Sequence, residues 1–131
     1  MSEMPEPGIT PVNQPFWTAL ERGELTFQRC GSCGGAWLPA REECPRCLAA
    51  EPGWEVASGR GRIISWVVYH HAAHPGFADR LPYNVAVVEL DEGPRLITNI
   101  LADEGDLGIE LPVVVRIERE ATFSLPRFSL A

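Results

Sequence analysis

All four cysteines of the chain fall between residues 30 and 47, in CGSCGGAWLPAREECPRC, as two CxxC pairs: Cys30 with Cys33, and Cys44 with Cys47. Each pair can set two thiolates on one tight turn, and two such turns facing each other build a tetrahedral sulfur cage suited to zinc. Gly31, Gly34 and Gly35 let the backbone curl around the first pair, while Pro45 stiffens the second turn. So short a segment buries no core of its own; the ion would supply folding free energy, on the order of 10 to 16 kcal/mol in zinc-finger peptides. Four thiolates leave zinc no open position, which makes the expected site structural and not catalytic. Iron in a rubredoxin-like site, a redox dithiol or an emptied remnant are the alternatives. Against a redox motif, the cysteines come as two pairs and no βαβ pattern surrounds either.

At 131 residues the chain has room for one domain, or for a small module beside a compact core. No run approaches the roughly 18 to 20 apolar residues that cross a bilayer. The start lacks the basic-then-apolar layout of a signal peptide, so a cytoplasmic protein with no membrane partner is expected. Reduced thiols in that compartment point to metal work rather than structural disulfides. The net charge is -7 and every basic residue is arginine. Affinity for nucleic acid comes largely from many cations facing phosphates, so this balance argues against such a partner.

The chain divides into three stretches. Residues 1–24 hold a proline-rich tail, expected to stay disordered through residue 15, and a short aromatic helix over 15–23 (PFWTALERG) ending at Gly23. Residues 25–52 form the zinc ribbon, entered by a strand at 25–29. Residues 53–131 begin with a turn-rich connection. There follow five β-branched or apolar runs, GRIISWVVY, YNVAVVEL, RLITNIL, VVVRIER and TFSLPRF. Five short strands with no helical period imply a small closed or nearly closed barrel of OB type, and Pro126 suggests an edge position for the last. The fold class is thus mainly β. Gly59 and Gly61, at the entry to the first barrel strand, suit a bulge or a sharp coil. A long loop at 70–82 (HHAAHPGFADRLP) sits where binding often occurs on a rigid barrel.

Other chemistry finds little support. His70, His71 and His74 lack an acidic neighbour and a fixed helical spacing, so solvent or partner contact is expected of them rather than a metal. No GxSxG or phosphate-loop pattern occurs, and no catalytic residue is assigned. Trp37, Trp54, Trp66 and Tyr69 could stack bases. A single-stranded nucleic-acid-binding OB fold is therefore the alternative function, opposed by the charge.

The order of parts resembles a known family. PFW..L..G, then L.FQRC..CG...LP.R..CP.C, then SGRGRIISW, then LPYNVAVVEL.EGPRL is similar to the acyl-CoA-associated proteins with a rubredoxin-like zinc ribbon and a C-terminal OB fold. The resemblance runs from Pro15 to Phe128. It implies zinc on Cys30, Cys33, Cys44 and Cys47, and a non-catalytic accessory subunit of a CoA-thioester enzyme: a thiolase-superfamily condensing enzyme, an aldolase, an acyltransferase or a hydratase. Such a subunit would meet acyl-CoA through the complex and help form the passage for its pantetheine arm. The acyl chain, whether steroid-derived, aromatic or a short ketoacyl group, is left open. Buried apolar anchors make interfaces, so Phe16, Trp17, Leu20, Trp37, Leu38 and Phe77 are the interface candidates. Arg60, Arg62 and Arg80 are the candidates for contact with CoA phosphates.

Overall fold

β-Branched side chains are stiff at χ1 and pack well on a pleated surface, and they recur in the apolar runs from residue 60 onward. The computed structural model, described for residues 5–131, places five strands there. They are β4 (Arg60–Tyr69), β5 (Tyr83–Leu90), β6 (Arg95–Thr98), β7 (Pro112–Arg119) and β8 (Ser124–Leu130), following α1 (Gln14–Glu21), β1 (Thr26–Arg29), β2 (Ala36–Trp37) and β3 (Gly53–Val56). The five pair antiparallel in the order β6-β5-β4-β7-β8. This sheet curls into the half-barrel of an OB fold. Its rims meet where Ile100 bridges Phe128 in parallel, with Phe128 N–H on Asn99 O at 3.0 Å and Leu101 N–H on Phe128 O at 2.7 Å.

Alternation decides what points inward. On β5, Ala86, Val88 and Leu90 are buried while the residues between them are half exposed. On β4, Gly61 and Ile63 face in; a bulge between Ile63 and Ser65 then resets the phase and brings Trp66 opposite Ala86 on the inner face. The bulge thus falls at Ile64, not at the glycines. Those serve close approach: a Cβ on Gly61 would lie 2.5 Å from Glu89 O, and one on Gly59, whose φ is +84°, would lie 2.6 Å from Val115 Cγ1. Ile63, Ala86, Val88, Leu90, Ile100, Val113 and Phe128 make one core, which Leu20 of α1 and Leu25 complete. Hence α1 is a lid on the barrel core, too short to be stable without it.

β6 is shorter than the run RLITNIL implies. Its ladder with β5 stops at Thr98, and the Asn84 side chain takes over. Asn84 Oδ1 accepts from Ile100 N–H at 2.7 Å and its Nδ2 donates to Ile100 O at 2.8 Å, so a side-chain amide stands in for a strand backbone while the chain turns toward β8. The expected turn-rich connection after the ribbon contains β3, which pairs with β1 from Thr26↔Val56 to Arg29↔Gly53 and completes the sheet β2-β1-β3.

The expected disordered tail splits: residues 1–4 lie outside the described residues, while Pro5–Asn13 has no regular structure before its final turn yet is tied down. Thr122 Oγ1 donates to Glu6 Oε1 at 2.8 Å, and Asn13 Nδ2 to Gly8 O at 3.0 Å. Among the described residues no helix is long and apolar enough to cross a membrane. Gly61→Ala should destabilise the fold by about 1–3 kcal/mol, because the methyl meets rigid strand backbone; urea unfolding measures it.

Candidate metal centre and interface residues

The two CxxC turns fold alike, fourteen residues apart. In the first, Cys30 N–H donates to Gly35 O at 2.8 Å and Gly34 N–H to Cys30 O at 3.0 Å. In the second, Cys44 N–H donates to Ala49 O at 3.0 Å and Leu48 N–H to Cys44 O at 2.9 Å. Each turn aims two amides at its first sulfur: Ser32 and Cys33 at Cys30 Sγ (3.3 and 3.4 Å), Arg46 and Cys47 at Cys44 Sγ (3.4 and 3.5 Å). The repeat explains a strained residue. Where the first turn has Gly34 at φ +74°, the second has Leu48 at φ +64°, a left-handed backbone that a leucine rarely adopts.

The four sulfurs lie within 4.8 Å of one another, with Cys30–Cys47 at 3.5 Å and Cys33–Cys44 at 3.6 Å. Tetrahedral zinc with Zn–S bonds near 2.3 Å separates its sulfurs by about 3.8 Å, so the donor set fits the ion. Ionisation points the same way. The Cys33 amide, with the Ser32 amide helping, lowers Cys30 to about 6 against the pull of burial. Burial raises Cys44, but the amides of Cys47 and Arg46 bring it below the ordinary thiol value. The backbone near Ala49 draws Cys47 down, yet crowding by Cys30 and Cys44 together with burial pushes it up to about 11. Without a cation the cage cannot hold four thiolates. Cys30 and Cys44 are buried with Trp37 in a small core under the site, while Cys33 and Cys47 are exposed. Gln28, which no sequence motif singles out, ties this core to the following loop. Its Oε1 accepts from Trp37 Nε1 and from Arg41 N–H, each at 2.7 Å, and its Nε2 donates to Arg41 O at 3.0 Å.

The interface candidates separate on burial. Leu20 is 1% and Trp37 7% exposed, so both belong to this chain's own cores and present no free surface. Phe16, Trp17 and Leu38 are half buried and line one groove of about 520 Å³ between α1, the ribbon and the rim strands β6 and β8. Leu96, Ile97 and Pro126 line its other side; the sequence marked Leu96 and Ile97 only as part of a strand run and Pro126 as an edge position. Phe77 lies elsewhere, stacked on Tyr83 at 5.0 Å, with Tyr69 5.2 Å from Tyr83 on the far side.

The arginine candidates do not converge. Arg62 is held by Glu89 at 2.9 Å and by Glu110. Arg80 is held bidentately by Glu120 at 2.9 and 3.1 Å, at the opposite end of β7, some 25 Å away at a strand's rise of about 3.3 Å per residue. Arg60 is exposed and forms no ion pair among the described residues. Of the loop histidines, His74 accepts from Gly76 N–H at 2.9 Å and caps the 3-10 turn Pro75–Arg80; His70 and His71 are exposed. Among the described residues the cysteines alone form a group able to hold a metal.

A closed four-sulfur ribbon feeding a curled five-stranded sheet defines the class, a zinc-ribbon and OB-fold protein with a structural metal. Residues 17–53 match the ChsH2 rubredoxin-like zinc ribbon domain, and residues 54–118 the ChsH2 C-terminal OB-fold domain. A DUF35 domain-containing scaffold protein of Methanothermobacter thermautotrophicus is 38% identical over 76% of this chain and 77% of its own length. The probable enoyl-CoA hydratase alpha subunit of Thermomonospora curvata is 36% identical over 95% of this chain, which spans only 39% of that longer protein. A solved chain of the Ltp2-ChsH2(DUF35) aldolase superposes with a TM-score of 0.86 at 34% identity, covering 95% of this chain and 98% of that one. The chain belongs to this DUF35 family.

The geometry predicts outcomes at two places, the metal cage and an ion pair. Cys44→Ser should lose its zinc and unfold the ribbon, a loss of several kcal/mol, seen as metal content at background and altered Trp37 fluorescence. Acidification should release zinc from the native chain in the same way, since protons compete for the thiolates. The second concerns Glu120, held below the ordinary carboxylate value of 4.5 by Arg80 and then by Arg127. A depressed carboxyl adds stability above its unfolded pKa and loses it as pH falls through its folded one. Glu120→Gln should therefore cost about 1 kcal/mol at neutral pH, discounted because Arg80 is 41% exposed, and nothing in strong acid; thermal melts against pH check it.

Proposed function

We propose that the chain is a non-catalytic accessory subunit that binds and supports a CoA-thioester-processing enzyme, a thiolase-superfamily condensing enzyme or an aldolase. In the complex it helps line the passage for acyl-CoA or its pantetheine arm. One observation carries this reading: the described residues place their only strongly nucleophilic groups in a closed metal cage, while leaving an apolar groove open at the junction of helix, ribbon and barrel. Reactive groups must then come from elsewhere, and the open groove calls for a partner. The name of the aldolase whose chain it resembles supports an aldolase as that partner, and that of the enoyl-CoA hydratase alpha subunit supports an enzyme of CoA thioesters.

Nucleic-acid binding has little behind it. Trp37 is buried, Trp66 packs against the core, and Arg62 and Arg80 are neutralised by glutamates. The experiment is purification of the tagged full chain from its native cell, followed by co-expression with the enzyme it retains. The reading expects a stable complex whose thioester turnover falls roughly tenfold or more when the chain is omitted, and no turnover by the chain alone. A chain that stays monodisperse with every candidate enzyme and ignores acyl-CoA would sink the proposal. So would one that turns over a thioester unaided.

A further inference from the structure

β6 stands at the rim of the sheet with only β5 beside it. Leu90 N–H donates to Pro94 O at 2.8 Å, which makes residues 90 and 94 a bonded rung. Rungs alternate in an antiparallel ladder, so Val88↔Leu96 and Ala86↔Thr98 are the next bonded pairs, and Glu89↔Arg95 and Val87↔Ile97 the unbonded ones. The N–H and C=O groups of Arg95 and Ile97 accordingly point away from β5, and no partner bonds them among the described residues.

The strand across the gap cannot take them. Phe128 uses both its N–H and its carbonyl on Asn99 and Leu101, just past the end of β6, and two residues earlier in the same phase stands Pro126. Proline has no N–H to give, and its carbonyl already accepts from Thr98 Oγ1 at 2.8 Å. Past that contact the apolar groove separates the strands, with Phe16, Trp17 and Leu38 as its far wall.

Backbone groups facing an apolar groove ask for a ligand that returns hydrogen bonds at a strand's spacing and fills the groove with alternate side chains. An extended polypeptide does both. The outer face continues the same surface: Ile97, 75% exposed, lies beside Val87, with the pairs Val67↔Val85 and Tyr69↔Tyr83 in the rows beyond. Charge selects whose polypeptide it is. Asp91 and Glu92 in the turn entering β6 outnumber Arg60, which stands opposite Asp91, and Glu42 and Glu43 just past the wall at Ala40 outnumber Arg41; none of the six forms an ion pair among the described residues, and Glu92 Oε2 accepts from Ser58 N–H at 2.6 Å. A second copy, itself at -7, would bring like charge to this edge, whereas a segment with basic residues flanking an apolar stretch meets opposite charge.

Resting on the accessory-subunit reading, we propose that the partner enzyme docks by laying an extended segment of its chain, apolar in the middle and basic at its ends, along β6 as a sixth strand of the sheet. The test uses the full chain and the enzyme with which it reconstitutes. Amide exchange at Arg95 and Ile97 should slow by roughly tenfold or more in the complex. Ile97→Pro removes an outward amide without breaking a rung to β5, and should weaken the complex about tenfold, while Ile97→Val stays within about threefold. Should the proline variant lose its fold, the exchange measurement on the native chain decides alone. Unchanged exchange at both amides in an intact complex overturns edge pairing and leaves the accessory role standing; failure of any complex to form removes both. Protection that arises in the free chain with concentration, or with a CoA thioester and no enzyme, overturns the proposal in favour of a second copy or a small ligand.

Discussion

Four sulfurs drawn within 4.8 Å of one another cannot all be thiolates without a cation: backbone amides hold Cys30 near 6, while crowding by Cys30 and Cys44 together with burial pushes Cys47 up to about 11. The ion is the one interaction the ribbon cannot replace. Only β1, β2 and β3 stand around the cage, β2 is two residues long, and Trp37 is the single large side chain in the core beneath it. With the metal bound, Trp37 is fixed, Gln28 is fixed to it, and the loop through Leu38 and Arg41 is fixed to Gln28. Coordination chemistry thereby sets the position of a wall of the groove.

The barrel divides its outer face into two regimes. At one end, Arg62, Glu89 and Arg95 lie in one cross-strand row, with Glu110 on Arg62, and these charges neutralise one another. Such exposed pairs add little stability, but they keep that end hydrated and occupied. Farther along the same strands the rows turn apolar and then aromatic, through Val67 and Val85 to Tyr69, Tyr83 and Phe77. A surface segregated in this way suits association along the apolar rows while resisting it at the charged end.

Much of this was legible in the sequence because it rests on local signals. CxxC spacing reports the cage directly, and β-branched runs bounded by Gly, Pro and Asp report β4, β5, β7 and β8 to within a residue or two. Position-by-position outcomes set by distant partners were not legible. β3 is four residues flanked by Pro52 and Gly59, and becomes a strand because β1 offers an edge. The bulge sits at Ile64 because barrel curvature, not glycine content, demands it there. Arg62 and Arg80 looked like free cations, since the glutamates that hold them come from elsewhere along the chain. Leu20 and Trp37 read as anchors, and their burial in two separate cores appears only once the helix and ribbon are docked.

All three parts of the chain line the groove, and Pro126 stands at its open rim. Pro126 has no N–H to offer across the gap and its carbonyl is taken by Thr98 Oγ1, so at this position β8 gives Arg95 and Ile97 no backbone partner. Backbone contact between the rims stops at the Phe128 bridge, and α1 with the ribbon loop covers one side of the gap without filling it. A barrel left unzipped at its rim exposes backbone that native proteins ordinarily cover, and the usual cover is another chain. The same proline that reads from sequence as an edge marker stands across from the edge left open.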